Sequence, residues 1–241
     1  MKILWLDLET TSLDEQVANV LDIAALPEAD GRPLTDMLSI LVQPLLHQED
    51  QLYGQVDPQV WIDQYNQGCG DRTECQMASF RFSPEDPPLF FYSPGTLTLG
   101  LPSGQIKDPA HWLTDERRVR PLDALMQLVD LLDRNNQVSG RWTIAGHNPG
   151  YDYRVLAAWG RRVLGPQMFD ELLGDRINSY YGLDTVALAR WFGYKGSLRT
   201  ERNRYTLAHV AKALGLPLVD AHTAAADLDC TIKIAKKLLG D

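Results

Sequence analysis

Positive charge is scarce in this chain: 23 lysines and arginines stand against 32 aspartates and glutamates, a formal net charge of −9. A protein that grips a long duplex usually carries a basic footprint, so this balance speaks against a broad duplex-binding surface. It leaves room for an enzyme that gathers carboxylates round metal ions and touches only a few charged groups. Cysteine is scarcer still, with Cys69, Cys75 and Cys230 alone. An odd number without CxxC spacing excludes a disulfide framework and points to a reducing cytoplasm. A zinc ion shared by Cys69 and Cys75 with His47 or His111 would match no common finger spacing. Long apolar runs are missing too. The start, Met1-Lys2-Ile3-Leu4-Trp5-Leu6-Asp7, is broken by Asp7 and Glu9 too early for a signal peptide, and no other stretch has the length of a membrane span. What remains is ample for a core: 44% of the 241 residues are hydrophobic, which suits one large α/β domain or a domain carrying a sizeable insertion.

The pattern along the chain predicts a strand over Lys2 to Leu8 and a second over Val20 to Leu26. After the turn signal Asp30-Gly31 comes a third, Met37 to Val42, completing an antiparallel meander. Helical spacing of Leu122, Leu125, Met126, Leu128, Val129 and Leu132 predicts a helix from Pro121 to Leu132, with the proline in the first turn. A short strand over Trp142 to Gly146 precedes helices over Asp152 to Leu164, Asp184 to Phe192 and Tyr205 to Leu214. The last of these is stopped by Gly215 and Pro217. A final helix is predicted from Thr223 to Leu239, its lysines in the last turns where they suit the dipole. Residues 45–120 differ: rich in Pro, Gly, Gln and Asp, they read as an insertion. Within it Leu89 to Tyr92 and Thr96 to Leu99, joined by Ser93-Pro94-Gly95, resemble a β-hairpin. Such an insertion is either surface decoration, a cap over a site or a docking surface. Strands first, then alternation, then helices imply an α/β domain with a mixed sheet.

Three places carry chemistry. Asp7 and Glu9, at i and i+2 on a strand end, point to the same face. Two buried like charges are costly unless a cation sits between them, and oxygen-rich sites suit Mg²⁺ or Mn²⁺. Alone, the pair could equally be a solvated strand end. Gly146-His147-Asn148-Pro149-Gly150-Tyr151-Asp152 follows a strand and opens a helix, which puts Asp152 where the helix dipole favours an acid. Alone, that is an ordinary first-turn carboxylate. His222-Thr223-Ala224-Ala225-Ala226-Asp227 joins a histidine and an acid through small residues that let another surface approach. Over five residues a helix rises about 7.5 Å, so His222 stands at the entrance and Asp227 further in.

Together and in this order, the three resemble the DEDDh exonucleases. That group includes the proofreading subunit of bacterial replicative polymerase, RNase T and oligoribonuclease. The D-x-E motif with its following Thr-Thr-Gly-Leu appears as Asp7-Leu8-Glu9-Thr10-Thr11-Ser12-Leu13, with Ser12 where the family often has glycine. The His-Asn-x-x-Phe-Asp motif appears as His147-Asn148-Pro149-Gly150-Tyr151-Asp152, and H-x₄-D as His222 and Asp227. The run Asp184-Thr185-Val186-Ala187-Leu188-Ala189-Arg190 matches an accessory Asp-Thr-x-x-x-x-Arg pattern. Tyr205 to Val210 is similar to the helix that precedes the third motif. The likeness covers residues 1–43 and 121–239 but not the insertion. Histidine five positions before Asp227 fits the h subgroup, whereas the sister subgroup has tyrosine at the place of Thr223.

The resemblance implies a ribonuclease H-like mixed sheet flanked by helices and a 3′→5′ exonuclease acting on single-stranded DNA or RNA ends. Asp7, Glu9, Asp152 and Asp227 would hold two Mg²⁺ or Mn²⁺ ions about 3.5–4 Å apart. His222 would take a proton from the attacking water. Thr10, Thr11 and Leu13 would meet the terminal nucleotide, with His147 and Asn148 lining the same pocket. The segment Tyr194 to Arg204 clusters four cations, of which Lys195, Arg199 and Arg202 are candidates for phosphate contact. Asp184 is expected to cap its helix rather than bind metal. A homodimer is compatible with the resemblance, since several members form one. The alternatives are an oligoribonuclease-like RNA-trimming enzyme and a non-catalytic nucleic-acid-binding protein on the same fold. No phosphatase nucleophile motif is present.

Overall fold

Side chains alternate along the first strand, and that alternation organises the two layers built on it. The computed structural model describes residues 1–10, 15, 18–42, 78–80, 90–92, 117–136, 140–218 and 223–240. Strand β1 (Lys2–Thr10) pairs antiparallel with β2 (Val20–Ala29), and β2 pairs antiparallel with the two-residue β3 (Arg32–Pro33) and with β4 (Leu38–Leu41). A two-stranded antiparallel ladder joins β5 (Ala78–Phe80) to β6 (Phe90–Tyr92). On its other edge β1 runs parallel to β7 (Trp142–Gly146), which runs parallel to β8 (Ile177–Asp184). The main sheet therefore has the order β3-β2-β1-β7-β8, with β4 also on β2. It is the mixed sheet that the sequence predicts.

Leu4, Leu6 and Leu8 point to one face, where they are buried against two helices. One is α1 (Pro121–Arg134), through Leu125 and Leu128; the other is α2 (Pro149–Leu164), through Leu156 and Trp159. The short α3 (Pro166–Leu172) closes this layer by inserting Phe169, which is fully buried. Gly160 makes the insertion possible: a Cβ there would lie 2.5 Å from the Phe169 ring. Ile3 and Trp5 point to the opposite face and pack on α6 (Ala224–Leu239) through Ala224, Leu228 and Ile232. The outer side of α6 is covered in turn by α4 (Thr185–Tyr194) and α5 (Leu207–Leu214), through Ala189, Val210 and Ile234. Full burial of one such aliphatic side chain is worth about 1.5–3 kcal/mol, so the two faces of β1 hold both layers to one strand.

Several bounds differ from the sequence reading. Helix α2 begins at Pro149, three residues early, because a left-handed Asn148 turns the chain sharply out of β7. Strand β8 and helix α3 were not anticipated. In the insertion, Phe90–Tyr92 is a strand as expected, and its described partner is Ala78–Phe80. The expected second arm, Thr96 to Leu99, lies outside the described residues, as do Cys69, Cys75, His47 and His111. Among the described residues no helix is long and apolar enough to cross a membrane.

Candidate metal centre

The two-residue period of β1 fixes where its acids point. Asp7 and Glu9 share the face of Ile3 and Trp5, which is the face covered by α6. Helix α6 meets that face with a stripe at helical spacing, Ala224, Asp227, Leu228, Thr231 and Ile232. Ala224 carries no bulk and is fully buried, so the first turn of the helix sits close on the end of β1. Carboxylate oxygens of Asp7, Glu9 and Asp227 consequently lie within 4.8 Å of one another, on side chains that are half-buried.

Asp152 arrives from the other layer. Strands β1 and β7 pair only from Ile3 to Trp5, after which β7 ends at Gly146 and the chain turns into α2. A Cβ on Gly146 would stand 2.8 Å from the Leu6 carbonyl oxygen, so glycine permits this close crossing. Asn148 then adopts φ 70°, ψ 51°, and Pro149 opens the helix. Beyond the last paired position, the Leu8 backbone N–H donates to Asp152 Oδ1 at 3.1 Å. The Asp152 carboxylate, only 5% exposed, is thus bound to the residue between Asp7 and Glu9.

Burial and mutual repulsion push these acids towards the protonated state. Asp7 is driven well above the usual carboxylate range, first by burial and then by Asp152, Glu9, Asp227 and Asp22. Glu9 rises to about 8, by burial and by Asp227, Asp22 and Asp152. Asp152 rises to about 7 through burial, against the pull of the Leu8 N–H and of Arg154. Like charges held together in this way are relieved by a dication, and an all-oxygen set suits a hard ion such as Mg²⁺ or Mn²⁺. The donor set therefore fits the metals that the sequence motifs imply.

Around the cluster, Thr10 Oγ1 lies 3.3 Å from the Tyr151 hydroxyl, joining β1 to the first turn of α2. Thr11, Leu13 and His222 lie outside the described residues. His147 is held on both ring nitrogens. Its Nε2–H donates to the Tyr205 carbonyl at 3.0 Å, and Nδ1 is 2.8 Å from the Thr185 hydroxyl. Burial lowers its pKa, against the pull of the Tyr205 carbonyl and of Asp184, and the Thr185 hydroxyl also donates to the Gly146 carbonyl at 3.2 Å. Asn148 is exposed, and its N–H donates to Asp184 Oδ1 at 3.0 Å. Asp184 also caps α4 by accepting from Val186 N at 2.8 Å, the role expected of it. Lys195, Arg199 and Arg202 are exposed positions on the segment between α4 and α5, with Lys195 Nζ over the Trp191 ring. That segment is tied back to the end of β7 by the His147–Tyr205 bond.

Sequence reasoning overlooked Asp22. It is 4% exposed, stands opposite Glu9 in the β1–β2 register, and bonds the first residue of α6. The available signal was an acid inside the apolar run Val20-Leu21-Asp22-Ile23-Ala24.

A mixed sheet of this order, with helices on both faces and acids at the end of its central strand, is a ribonuclease H-like fold. Among solved structures it is similar to the Escherichia coli exonuclease I complex with a dT13 oligonucleotide. That match has a TM-score of 0.59 and 15% identity, and covers 98% of this chain and 40% of that one. The moderately thermophilic exonuclease I from Methylocaldum szegediense matches with a TM-score of 0.55 and 15% identity, over 99% of this chain and 40% of that one. A product-bound exonuclease I matches with a TM-score of 0.57, also at 15% identity, over 99% and 43% respectively. The chain thus spans about two fifths of the length of these exonucleases. No model of a known protein family and no curated protein matches the sequence.

Proposed function

We propose that this protein is a metal-dependent 3′→5′ exonuclease that shortens single-stranded DNA or RNA. One observation carries the reading: carboxylates from β1 and α6 meet within 4.8 Å, and the α2 carboxylate is bonded to the β1 backbone between two of them. A pure binding protein has no use for such a costly arrangement. The likeness to exonuclease I, which has been solved with single-stranded oligonucleotides and with product, supports the same reading.

Asp7, Glu9, Asp152 and Asp227 would hold two Mg²⁺ or Mn²⁺ ions, which supply charge stabilisation for the attacking and leaving oxygens at phosphorus. The other residues bind, orient and move a proton. His222, two positions before the helix that carries Asp227 in sequence, would take the proton of the attacking water. Thr10, Thr11 and Leu13 follow the metal strand directly and meet the terminal nucleotide. His147 and Asn148 shape the same pocket from the β7–α2 junction. Lys195, Arg199 and Arg202 offer cations to the phosphates upstream in an otherwise acidic protein. We assign residues 1–241 to one exonuclease domain with 45–120 as its insertion, a cytoplasmic location, and a homodimer as the assembly to be tested.

The test is a 5′-labelled single-stranded DNA and its RNA counterpart, each incubated with Mg²⁺ or with EDTA. The expected result is a descending ladder that needs the metal and is lost in Asp7→Ala while the variant stays folded. Binding without cleavage would favour a non-catalytic nucleic-acid-binding protein, and a ladder on RNA alone an oligoribonuclease-like enzyme. Full turnover by Asp7→Ala would remove that residue from the chemistry.

A further inference from the structure

Asp227 reaches the cluster only if the first turn of α6 is held in place, and besides its packing on β1 and β2 that turn has a long-range hydrogen bond to the sheet. The Ala224 backbone N–H donates to Asp22 Oδ2 at 3.0 Å, a buried contact between residues 202 positions apart. Ala224 is the first residue of α6, and its N–H is one of the orphan donors that every helix presents at its start. Local capping serves another: the Thr223 hydroxyl accepts from Ala226 N at 3.3 Å. That bond, between neighbours in the helix start, cannot tie the helix to β2. Asp22 can, because it belongs to β2 and stands opposite Glu9 in the antiparallel register.

From this geometry we infer that Asp22 is a positioning residue. Its carboxylate clamps the start of α6 to β2 and so sets Asp227 against Asp7 and Glu9; the inference rests on the exonuclease reading above. The residue is spaced for it. Asp22 shares its face of β2 with Ala24 and Leu26, both packed against α6, so its side chain projects under the helix start. It is 4% exposed, which keeps water from competing for the Ala224 N–H. A carboxylate is well matched to the positive end of the helix dipole. Burial raises its pKa, against the pull of the Ala224 N–H and of the Arg118 guanidinium. Arg118 is itself pinned, donating to the Leu21 carbonyl at 3.0 Å and the Val42 carbonyl at 2.8 Å. What the geometry assigns to Asp22 is an acceptor at a fixed place under the helix start.

Three variants separate place from charge. Asp22→Asn keeps an acceptor oxygen at the same reach without the charge, Asp22→Glu keeps the charge but adds a methylene, and Asp22→Ala removes the acceptor. Mn²⁺ binding to the whole protein is measured by calorimetry and by the electron paramagnetic resonance signal of free Mn²⁺. Hydrogen exchange at the first turn of α6 and single-turnover cleavage accompany it. Asp22→Ala and Asp22→Glu are expected to lose about 10–100-fold in Mn²⁺ affinity, the range typical of residues that orient metal ligands. Faster exchange at Ala224 to Leu228 should accompany the loss, and Asp22→Asn should stay within about threefold of wild type. Wild-type affinity in both Ala and Glu variants overturns the inference. So does an Asn variant as weak as the Glu variant, a comparison that holds even if the Ala variant does not fold. A wild-type protein that binds no Mn²⁺, measured beside Asp227→Asn, would instead sink the exonuclease reading itself.

Discussion

Replacing Glu9 by glutamine should make the metal-free protein more stable while destroying its metal site, and the gain should depend on pH in a defined direction. Glu9 has its pKa raised to about 8 from an ordinary 4.5. The folded state therefore binds more protons than the unfolded one over that interval. The sign follows: no stability is lost below the unfolded value, and loss accumulates as pH rises through the folded value. Linkage over these two pKa values gives a cost of about 1 kcal/mol at pH 5, about 3 at pH 7 and about 5 at pH 9. Glu9→Gln removes the titrating group, so its advantage over wild type in EDTA should grow along the same series. At neutral pH this amounts to a rise in melting temperature of about 6–12 °C for a chain of this size. The assay is thermal or urea unfolding of both proteins at the three pH values, with EDTA and again with Mg²⁺. Metal should stabilise wild type most at high pH and leave Glu9→Gln nearly unchanged. Equal stability of wild type at pH 5 and pH 9 in EDTA, or a variant that melts below wild type at pH 9, would refute the reasoning.

Two further outcomes follow from the packing and the site. Gly160→Ala should cost about 1–3 kcal/mol by overpacking against Phe169, measured by urea unfolding, and Phe169→Leu in the same chain should recover part of it. His222→Ala should slow single-turnover cleavage at saturating Mn²⁺ while leaving Mn²⁺ affinity near wild type; lost affinity with an unchanged rate would contradict its role as the base.

Much of this was readable because β1 and α6 announce themselves by period. Alternation from Ile3 to Glu9 already puts Asp7 and Glu9 on one face, and the alanines before Asp227 already promise a close approach. Strand β8 was hidden for the opposite reason. Its sequence Ile177-Asn178-Ser179-Tyr180-Tyr181-Gly182-Leu183-Asp184 has little apolar alternation, and its place is fixed by parallel pairing with β7 at the sheet edge. Helix α3 is too short for a period to show and buries Phe169, with Leu172 packed beside it. The early start of α2 came from a left-handed Asn148, a conformation that the dipeptide Asn-Pro does not specify. Asp22 shows the deeper limit. An acid in an apolar strand signals a partner, but naming Ala224 N as that partner requires the fold, since 202 residues separate them.

The most direct measurement is a crystal of the protein soaked in Mn²⁺ and examined by anomalous diffraction. The expected result is strong density among the carboxylates of Asp7, Glu9, Asp152 and Asp227, lost in a crystal of Asp227→Ala. Ordered Mn²⁺ elsewhere with none at these four side chains, or a carboxylate of the four facing away from the others, would contradict the proposed centre.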